Sequence, residues 1–215
     1  AFLVTPAGPA EPPHRRCLSL RTHSRYAIAV RAAQEAYPGR HLQYALLPGC
    51  GRKLRLLCAN TLLAEGWTLY CGELLVEAGY APDPRVRFLQ AREQLHCACR
   101  VLVDVGLHTG KLSWNDAVGF LVRKAKLERT HAVREVRICA ERPSWALSGL
   151  LGKLLIEELR DECRERLGGR FSLRAFHDDL LSHGVLPPEL LAREMGVPFE
   201  QGGRELLRRL QPAER

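Results

Sequence analysis

The sequence predicts an all-α fold built from long helices, and three observations support this prediction. Apolar residues recur at the three- and four-residue spacing of a helix face through nearly all of residues 24–196. No segment shows the alternation of β-branched and polar residues that is typical of strands. The chain also shows no internal repeat of fixed period, which argues against a solenoid. A bundle of long helices is therefore expected.

Residues 1–22 are rich in proline and aperiodic, and they predict an extended lead-in before a single helical domain over residues 23–215. The first helix is expected to begin after Ser24, because serine is a good N-cap residue, and to end at Pro38-Gly39. The second is expected over about residues 54–79. The third begins near residue 86 and is expected to end near Gly106.

The second half of the chain carries further helix signals. Ser113 and Asp116 have the spacing of a capping box at a helix start. Pro143 suits the first turn of a helix, and Gly168-Gly169 suits its end. The remaining helices are predicted over about 114–126, 129–141, 143–168, 173–184 and 187–196.

Composition excludes several classes of protein. The 215 residues include no apolar run of the roughly 18 needed to cross a bilayer, and the first residues do not resemble a signal peptide, so no membrane partner is expected. The net charge of +8 is spread among acidic residues, and only 7% of residues are aromatic, so nucleic-acid binding is not expected. The eight cysteines include no C-x-x-C pair; as free thiols they favour a cytoplasmic location.

Five sequence blocks occur in one order along the chain. They are EAYPG-HLQ from Glu35, EGWTLY from Glu65, RVLVDVGLHTGKLSWNDAVGFL from Arg100, EVR from Glu135, and FSLRAFHDDLLSHGVLP from Phe171. Together they resemble the bacterial family known as domain of unknown function 885 (DUF885), over about residues 2–195. That family is similar to helical zinc metallopeptidases of the gluzincin type. The resemblance implies the C-terminal part of a longer fold, whose N-terminal half would be a partner of this lobe.

The first block resembles the family pattern H-E-x-x-P-G-H-H-L-Q, which implies Zn²⁺ as the cofactor. Two imidazoles and a carboxylate leave one position on zinc for water, and a glutamate removes a proton from that water. By resemblance, Glu35 is the catalytic base and Glu65 the carboxylate ligand. His108, in the third block, is a second catalytic candidate.

The two histidine ligand positions of the family fall on Gln34 and Arg40. An amide oxygen is a poor zinc ligand, and an arginine brings a fixed positive charge to the place of a cation, so tight zinc binding is not expected. His41 lies next to Arg40 and is the remaining candidate metal ligand. Two family tyrosines are also replaced, by Ile138 and Gly149, and Gly72 stands where an acidic residue is common in the family.

Three functional hypotheses follow. The first is a DUF885 protein related to zinc-dependent peptidases, acting on peptides in its relatives, with a degenerate metal site in this chain. The second is an active zinc peptidase that uses His41 and Glu65 with further ligands. The third is a non-enzymatic helical module that binds acidic peptides. The substrate and the oligomeric state stay open.

Overall fold

The computed structural model describes residues 12, 24–51, 53–57, 59–80 and 82–198. Every regular element within these ranges is a helix, so the all-α prediction is confirmed. The predicted lead-in, residues 1–22, lies outside the described residues except for Pro12. The α-helices are α1 (Arg25–Glu35), α2 (Arg40–Leu46), α3 (Lys53–Leu57), α4 (Thr61–Glu77), α5 (Pro84–His108), α6 (Trp114–Lys124), α7 (Arg129–Glu141), α8 (Trp145–Leu167), α9 (Leu173–Ser182) and α10 (Pro188–Glu194), with 3₁₀ turns at Leu47–Cys50 and Gly168–Arg170.

Several helix starts lie where their N-cap residues predict them. Ser24 accepts a hydrogen bond from the backbone N–H of Ala27 at 3.2 Å, and Ser113 accepts one from that of Asp116 at 3.2 Å. A hydroxyl in this position satisfies one of the free N–H groups of the first turn. These contacts are local, so a short sequence pattern is enough to predict them.

The predicted second helix is wrong in one respect, because the structure divides it into α3 and α4. α4 begins after Asn60, whose side-chain oxygen accepts a hydrogen bond from the backbone N–H of Leu63 at 3.2 Å. The backbone of Asn60 is extended, and its N–H donates to the carbonyl of Val185 at 2.9 Å rather than to a carbonyl of α3. Asparagine competes with helix continuation by bonding to nearby backbone groups. The break places Glu65 in the second turn of a new helix.

Several other helix boundaries differ from the prediction by up to three residues, among them the start of α8 and the end of α5. α8 begins at Trp145 rather than at Pro143, and the residue before it, Ser144, has a positive φ of 65°. The hydroxyl of Ser144 donates to the Pro143 carbonyl at 2.6 Å instead of capping the helix. α5 continues two residues past Gly106 and ends at His108. Helix ends commonly differ by one or two residues from a sequence-based boundary.

α4 and α8 form the central pair of helices, and their backbones come very close at two glycines. A Cβ atom on Gly66 would lie 2.3 Å from the carbonyl carbon of Gly152. A Cβ atom on Gly152 would lie 1.8 Å from the carbonyl oxygen of Leu62. Only glycine permits this approach, since any side chain would overlap backbone atoms. The crossing therefore fixes Glu65, which precedes Gly66, against α8.

Within the described residues, buried apolar side chains form three clusters. The largest joins α4, α8, α9 and α10 around Trp67, Tyr70, Leu159 and Leu180. The second joins α5, α6 and α7, and the smallest packs α1 against α4 and α5. No helix within the described ranges combines the length and apolar character needed to cross a bilayer.

Candidate functional site

The turn between α1 and α2 folds back onto the end of α1. A Cβ atom on Gly39 would lie only 1.8 Å from the carbonyl oxygen of Gln34, so this position accepts no side chain. The peptide bond between Tyr37 and Pro38 is cis. The indole N–H of Trp67 donates to the carbonyl of Pro38 at 3.0 Å. Through this bond the E-G-W block on α4 holds the Pro-Gly turn.

This arrangement brings Glu35, Arg40 and Glu65 together. The guanidinium of Arg40 donates from Nη1 and Nη2 to the two carboxylate oxygens of Glu65, at 3.1 and 2.8 Å. Its Nε donates to Oε2 of Glu35 at 2.9 Å. All three side chains are partly buried. The hydrogen bonds to Glu65 raise the pKa of Arg40 above its already high value, with a further contribution from Glu35, so its charge is permanent.

Gln34 is buried, and its amide is bonded to α5 rather than to this cluster. Its Nε2 donates to Oε2 of Glu93 at 3.0 Å, and Oε1 of Glu93 lies 2.8 Å from Nη2 of Arg31. The side chain also packs against Gly72, where a Cβ atom would lie 2.7 Å from Gln34 Nε2. The buried Oε1 of Gln34 has no hydrogen-bond donor among the described residues. The side-chain amide of Gln34, at the first histidine position of the family pattern, is therefore hydrogen bonded to Glu93 and not to the Arg40 cluster.

Neither histidine candidate forms a hydrogen bond or ion pair with the Arg40 cluster. His41 is exposed and forms no hydrogen bond or ion pair with a described residue. Nδ1 of His108 is hydrogen bonded to the backbone oxygen of Asp104 at 2.8 Å and is also 2.8 Å from its carboxylate. His108 is the last residue of α5, and among the described residues it has no hydrogen bond or ion pair with Glu35 or Glu65.

Two polar clusters were not identified from the sequence. In the first, Lys153 on α8 is buried and forms ion pairs with Glu73 on α4 and with Glu157 one turn along α8. Burial lowers the pKa of Lys153, but the two carboxylates outweigh this effect and the net pKa is raised. Gln94 on α5 donates to Glu73 at 2.7 Å. The only signal in the sequence was a single lysine within the apolar run GLLGKLL.

The second cluster lies between α4, α8 and α9. The hydroxyl of Tyr70 is 2.8 Å from Nε2 of His177, and Arg160 donates to the same hydroxyl at 3.3 Å. Burial raises the pKa of Tyr70 to about 12 and lowers the pKa of His177, and the charge of Arg160 lowers the latter further. Arg160 also pairs with Glu77. His177 is partly buried, and its ring contacts those of Trp67 and Phe176 at the edge of the core.

Comparison with known proteins assigns the chain to a family. A sequence model of the bacterial proteins of unknown function named DUF885 matches residues 9–195. The chain belongs to the DUF885 family. The resemblance inferred from the five sequence blocks is thereby confirmed, whereas the relation of DUF885 to zinc peptidases stays a prediction. No curated protein matches this DUF885 chain.

Two solved structures share the fold of this DUF885 chain. One is described as "a putative lipoprotein of unknown function" from Shewanella oneidensis, with a TM-score of 0.83, 23% identity, and coverage of 90% of this chain and 36% of that one. The other is described as a "putative lipoprotein" from Colwellia psychrerythraea, with a TM-score of 0.78, 30% identity, and coverage of 82% and 31%. The chain therefore spans about a third of the length of these proteins.

The positions at which this DUF885 chain departs from the family pattern do not all lie together. Gly149 on α8 adjoins the Arg40 cluster, since a Cβ atom there would lie 3.9 Å from the Cβ of Glu65. Gly72 adjoins Gln34, as described above. Ile138 instead lines a separate cavity of about 280 Å³ between α5 and α7, together with His96 and Glu135. Within the described residues, no three or more His, Cys, Asp and Glu side chains are arranged to hold a metal ion.

Proposed function

We propose that this DUF885 chain is a non-catalytic member of its family, in which Arg40 takes the place of a metal ion. The observation that carries the proposal is the bridge from one guanidinium to Glu35 and Glu65. These are the two carboxylates that the family pattern assigns to the catalytic base and to a zinc ligand. The positively charged side chain of Arg40 donates hydrogen bonds to both carboxylates, so the cation between them is part of the protein.

The residues present do not fit a zinc ion. A ligand must offer a lone pair, and a guanidinium is a donor of hydrogen bonds only and stays charged. Both carboxylate oxygens of Glu65 already accept hydrogen bonds from Arg40, so a zinc ion would have to displace a bidentate pair and then approach a like charge. Gln34, at the other ligand position, is bonded to Glu93.

The same geometry bears on the two other hypotheses. A zinc peptidase that uses His41 would need this exposed imidazole to turn towards Glu65 and Arg40 to leave it. A module for acidic peptides would need a cation with free hydrogen-bonding capacity, but the charge of Arg40 is balanced by two carboxylates. Both are therefore less well supported than a site filled by arginine.

Zinc content measured by elemental analysis tests the proposal. The purified chain, equilibrated with zinc and desalted, should retain well under one zinc per chain. The double variant Gln34→His/Arg40→His restores the family pattern and should bind zinc near-stoichiometrically, because two imidazoles and Glu65 then form a three-ligand site. Gln34→His alone is the matched control, and it should gain nothing while Arg40 remains.

Zinc retained stoichiometrically by the unmodified chain, and lost in His41→Ala, would instead support a zinc site built from His41 and Glu65. Hydrolysis of a fluorogenic peptide library by the unmodified chain would overturn the non-catalytic assignment directly.

We further infer that the protein functions outside the cytoplasm, contrary to the location that its free cysteines favoured. The two similar structures are described as lipoproteins, a class attached to membranes outside the cytoplasm. Cys71 and Cys139 are almost fully buried, and burial raises the pKa of both thiols, so neither needs a reducing compartment to stay unoxidised. Cell fractionation of the natural host with an antibody against the protein tests this inference; recovery in the cytosol alone would refute it.

A further inference from the structure

One face of α5 is apolar and open to solvent. Phe88, Leu95, Leu102 and Val105 have exposed fractions of 67%, 48%, 57% and 43%. Ala91 and Ala98 lie between them in the sequence, and neither is buried. These six residues, Phe88, Ala91, Leu95, Ala98, Leu102 and Val105, are called the α5 stripe below. Single exposed apolar residues are ordinary, but a contiguous row on one helix marks an interaction surface.

The spacing of the α5 stripe identifies the kind of surface it fits. Its members alternate at three- and four-residue intervals over two and a half heptads, which is the a/d pattern of helices that pack side by side. The stripe extends about 26 Å along the axis, from a rise of about 1.5 Å per residue. Other residues of α5, among them Val86, Cys99 and Val103, are buried in the core. α5 therefore carries buried residues that pack in the core and, beside them, an exposed apolar row to which a further helix can pack.

Charge beside the α5 stripe narrows the choice of partner. Arg87 and Arg92 are exposed, lie at the flanking g and e positions of the heptad, and form no ion pair with a described residue. A helix with acidic residues at its own flanking positions would pair with them, whereas a second copy of α5 in the same orientation would bring arginines together.

The family supplies a source for such a helix. The chain spans 36% and 31% of the two similar proteins, so about two thirds of each lies beyond the matched region. We propose that the α5 stripe is the docking face for an amphipathic helix with acidic flanks, contributed by the part of the longer DUF885 fold that this chain does not span. This inference is independent of whether the Arg40 site binds zinc.

A peptide-binding experiment tests the proposal on the 215-residue chain. The probe is a fluorescein-labelled helical peptide of about 21 residues, three heptads, with leucine at a and d and glutamate at e and g. Glutamates at both flanks disfavour pairing of the peptide with itself. Fluorescence anisotropy should show saturable binding, and the same peptide with lysine at e and g should bind about tenfold more weakly, because it faces Arg87 and Arg92.

Two double variants distinguish docking on the α5 stripe from non-specific hydrophobic binding. Leu95→Glu/Leu102→Glu places charges in the stripe and should weaken binding of the glutamate peptide by about tenfold or more. Leu54→Glu/Leu57→Glu on α3 changes two leucines that are still more exposed, at 74% and 81%, and should leave binding unchanged. Arg87→Glu/Arg92→Glu should reverse the preference in favour of the lysine peptide. Circular dichroism checks that all variants keep their helices.

Three results would overturn the proposal. One is failure of the glutamate peptide to bind, and another is binding that Leu95→Glu/Leu102→Glu does not weaken. The third comes from sedimentation velocity: a stable dimer of the unmodified chain that this variant converts to monomer would make a second copy the occupant of the α5 stripe.

Discussion

The side-chain amide of Gln34 occupies the space beside Gly72 that any other residue at position 72 would fill. A Cβ atom on Gly72 would lie 2.7 Å from Nε2 and 3.2 Å from Cγ of Gln34. Both positions depart from the family pattern. The contact shows that the residues at these two positions fit each other sterically.

This contact predicts that Gly72→Ala changes the free energy of unfolding in opposite directions in the unmodified chain and in the Gln34→Ala variant. Gly72→Ala alone should lower the free energy of unfolding, because the new methyl group forces Gln34 away from Glu93, at a cost of about 1–3 kcal/mol that exceeds the gain in helix propensity. With Gln34→Ala also present, the clash is gone, and Gly72→Ala should then stabilise the chain by about 0.5–1 kcal/mol. Urea unfolding of the four proteins gives the double-mutant cycle. Equal effects in both backgrounds would contradict the packing described here.

Removal of the arginine at the centre of the site should destabilise the chain. Arg40→Ala leaves Glu35 and Glu65 close together without a cation, and we expect a loss of about 1–2 kcal/mol, limited by the partial exposure of the cluster. The loss should shrink in high salt, since screening weakens the repulsion between the carboxylates. Arg40→Lys keeps the charge but not the bidentate geometry, so its stability should lie between those of the unmodified chain and Arg40→Ala. Thermal unfolding at low and high ionic strength measures both effects. An alanine variant as stable as the unmodified chain would show that the bridge contributes nothing.

The crossing of α4 and α8 predicts a large difference between two glycines three residues apart. Gly152→Ala puts a methyl group into the backbone of α4 and should cost about 3 kcal/mol or more, or prevent folding. Gly149→Ala meets only the end of the Leu69 side chain, with Cδ1 at 3.0 Å, and should change stability by about 1 kcal/mol at most. Both sites are helical, so propensity cancels in the comparison. Chemical denaturation that gave similar values for the two variants would contradict the close approach.

The buried His177 predicts loss of stability in mild acid. Burial lowers its pKa in the folded protein, so between that lowered value and the ordinary value near 6.5 the unfolded chain binds the proton more readily. Stability should therefore fall as the pH decreases below about 6.5, down to the pKa of the folded state. His96, whose pKa is also lowered by burial, acts in the same direction. Melting temperatures from pH 7.5 to 5 should fall less steeply for His177→Gln, which cannot titrate. Parallel curves for the two proteins would refute a role for His177.

The fold was predictable because its signals are local. Ser24 and Ser113 cap their helices by contacts within three residues, and the helical spacing of apolar residues can be read directly from the sequence. The break at Asn60 was missed because the apolar periodicity continues on both sides of it. The close crossing at Gly66 and Gly152 depends on two segments far apart in the chain, which periodicity does not relate.

The site was predictable only in part. The family pattern grouped Glu35, Glu65 and Arg40, and the structure brings these three together. The bidentate bridge itself depends on the fold-back at Pro38-Gly39 and on the position of α4, which are tertiary features. His108, which the predicted site also included, is the last residue of α5, and its Nδ1 contacts Asp104 rather than Glu35 or Glu65.

Arg40 also differs from a metal ion in how it is supplied. A bound ion exchanges with the medium, so its occupancy depends on the concentration of that ion and on competing chelators. The guanidinium is tethered to the chain, and folding alone delivers it to Glu35 and Glu65. The cation between the two carboxylates is therefore in place as soon as the chain has folded, even in a medium depleted of transition metals.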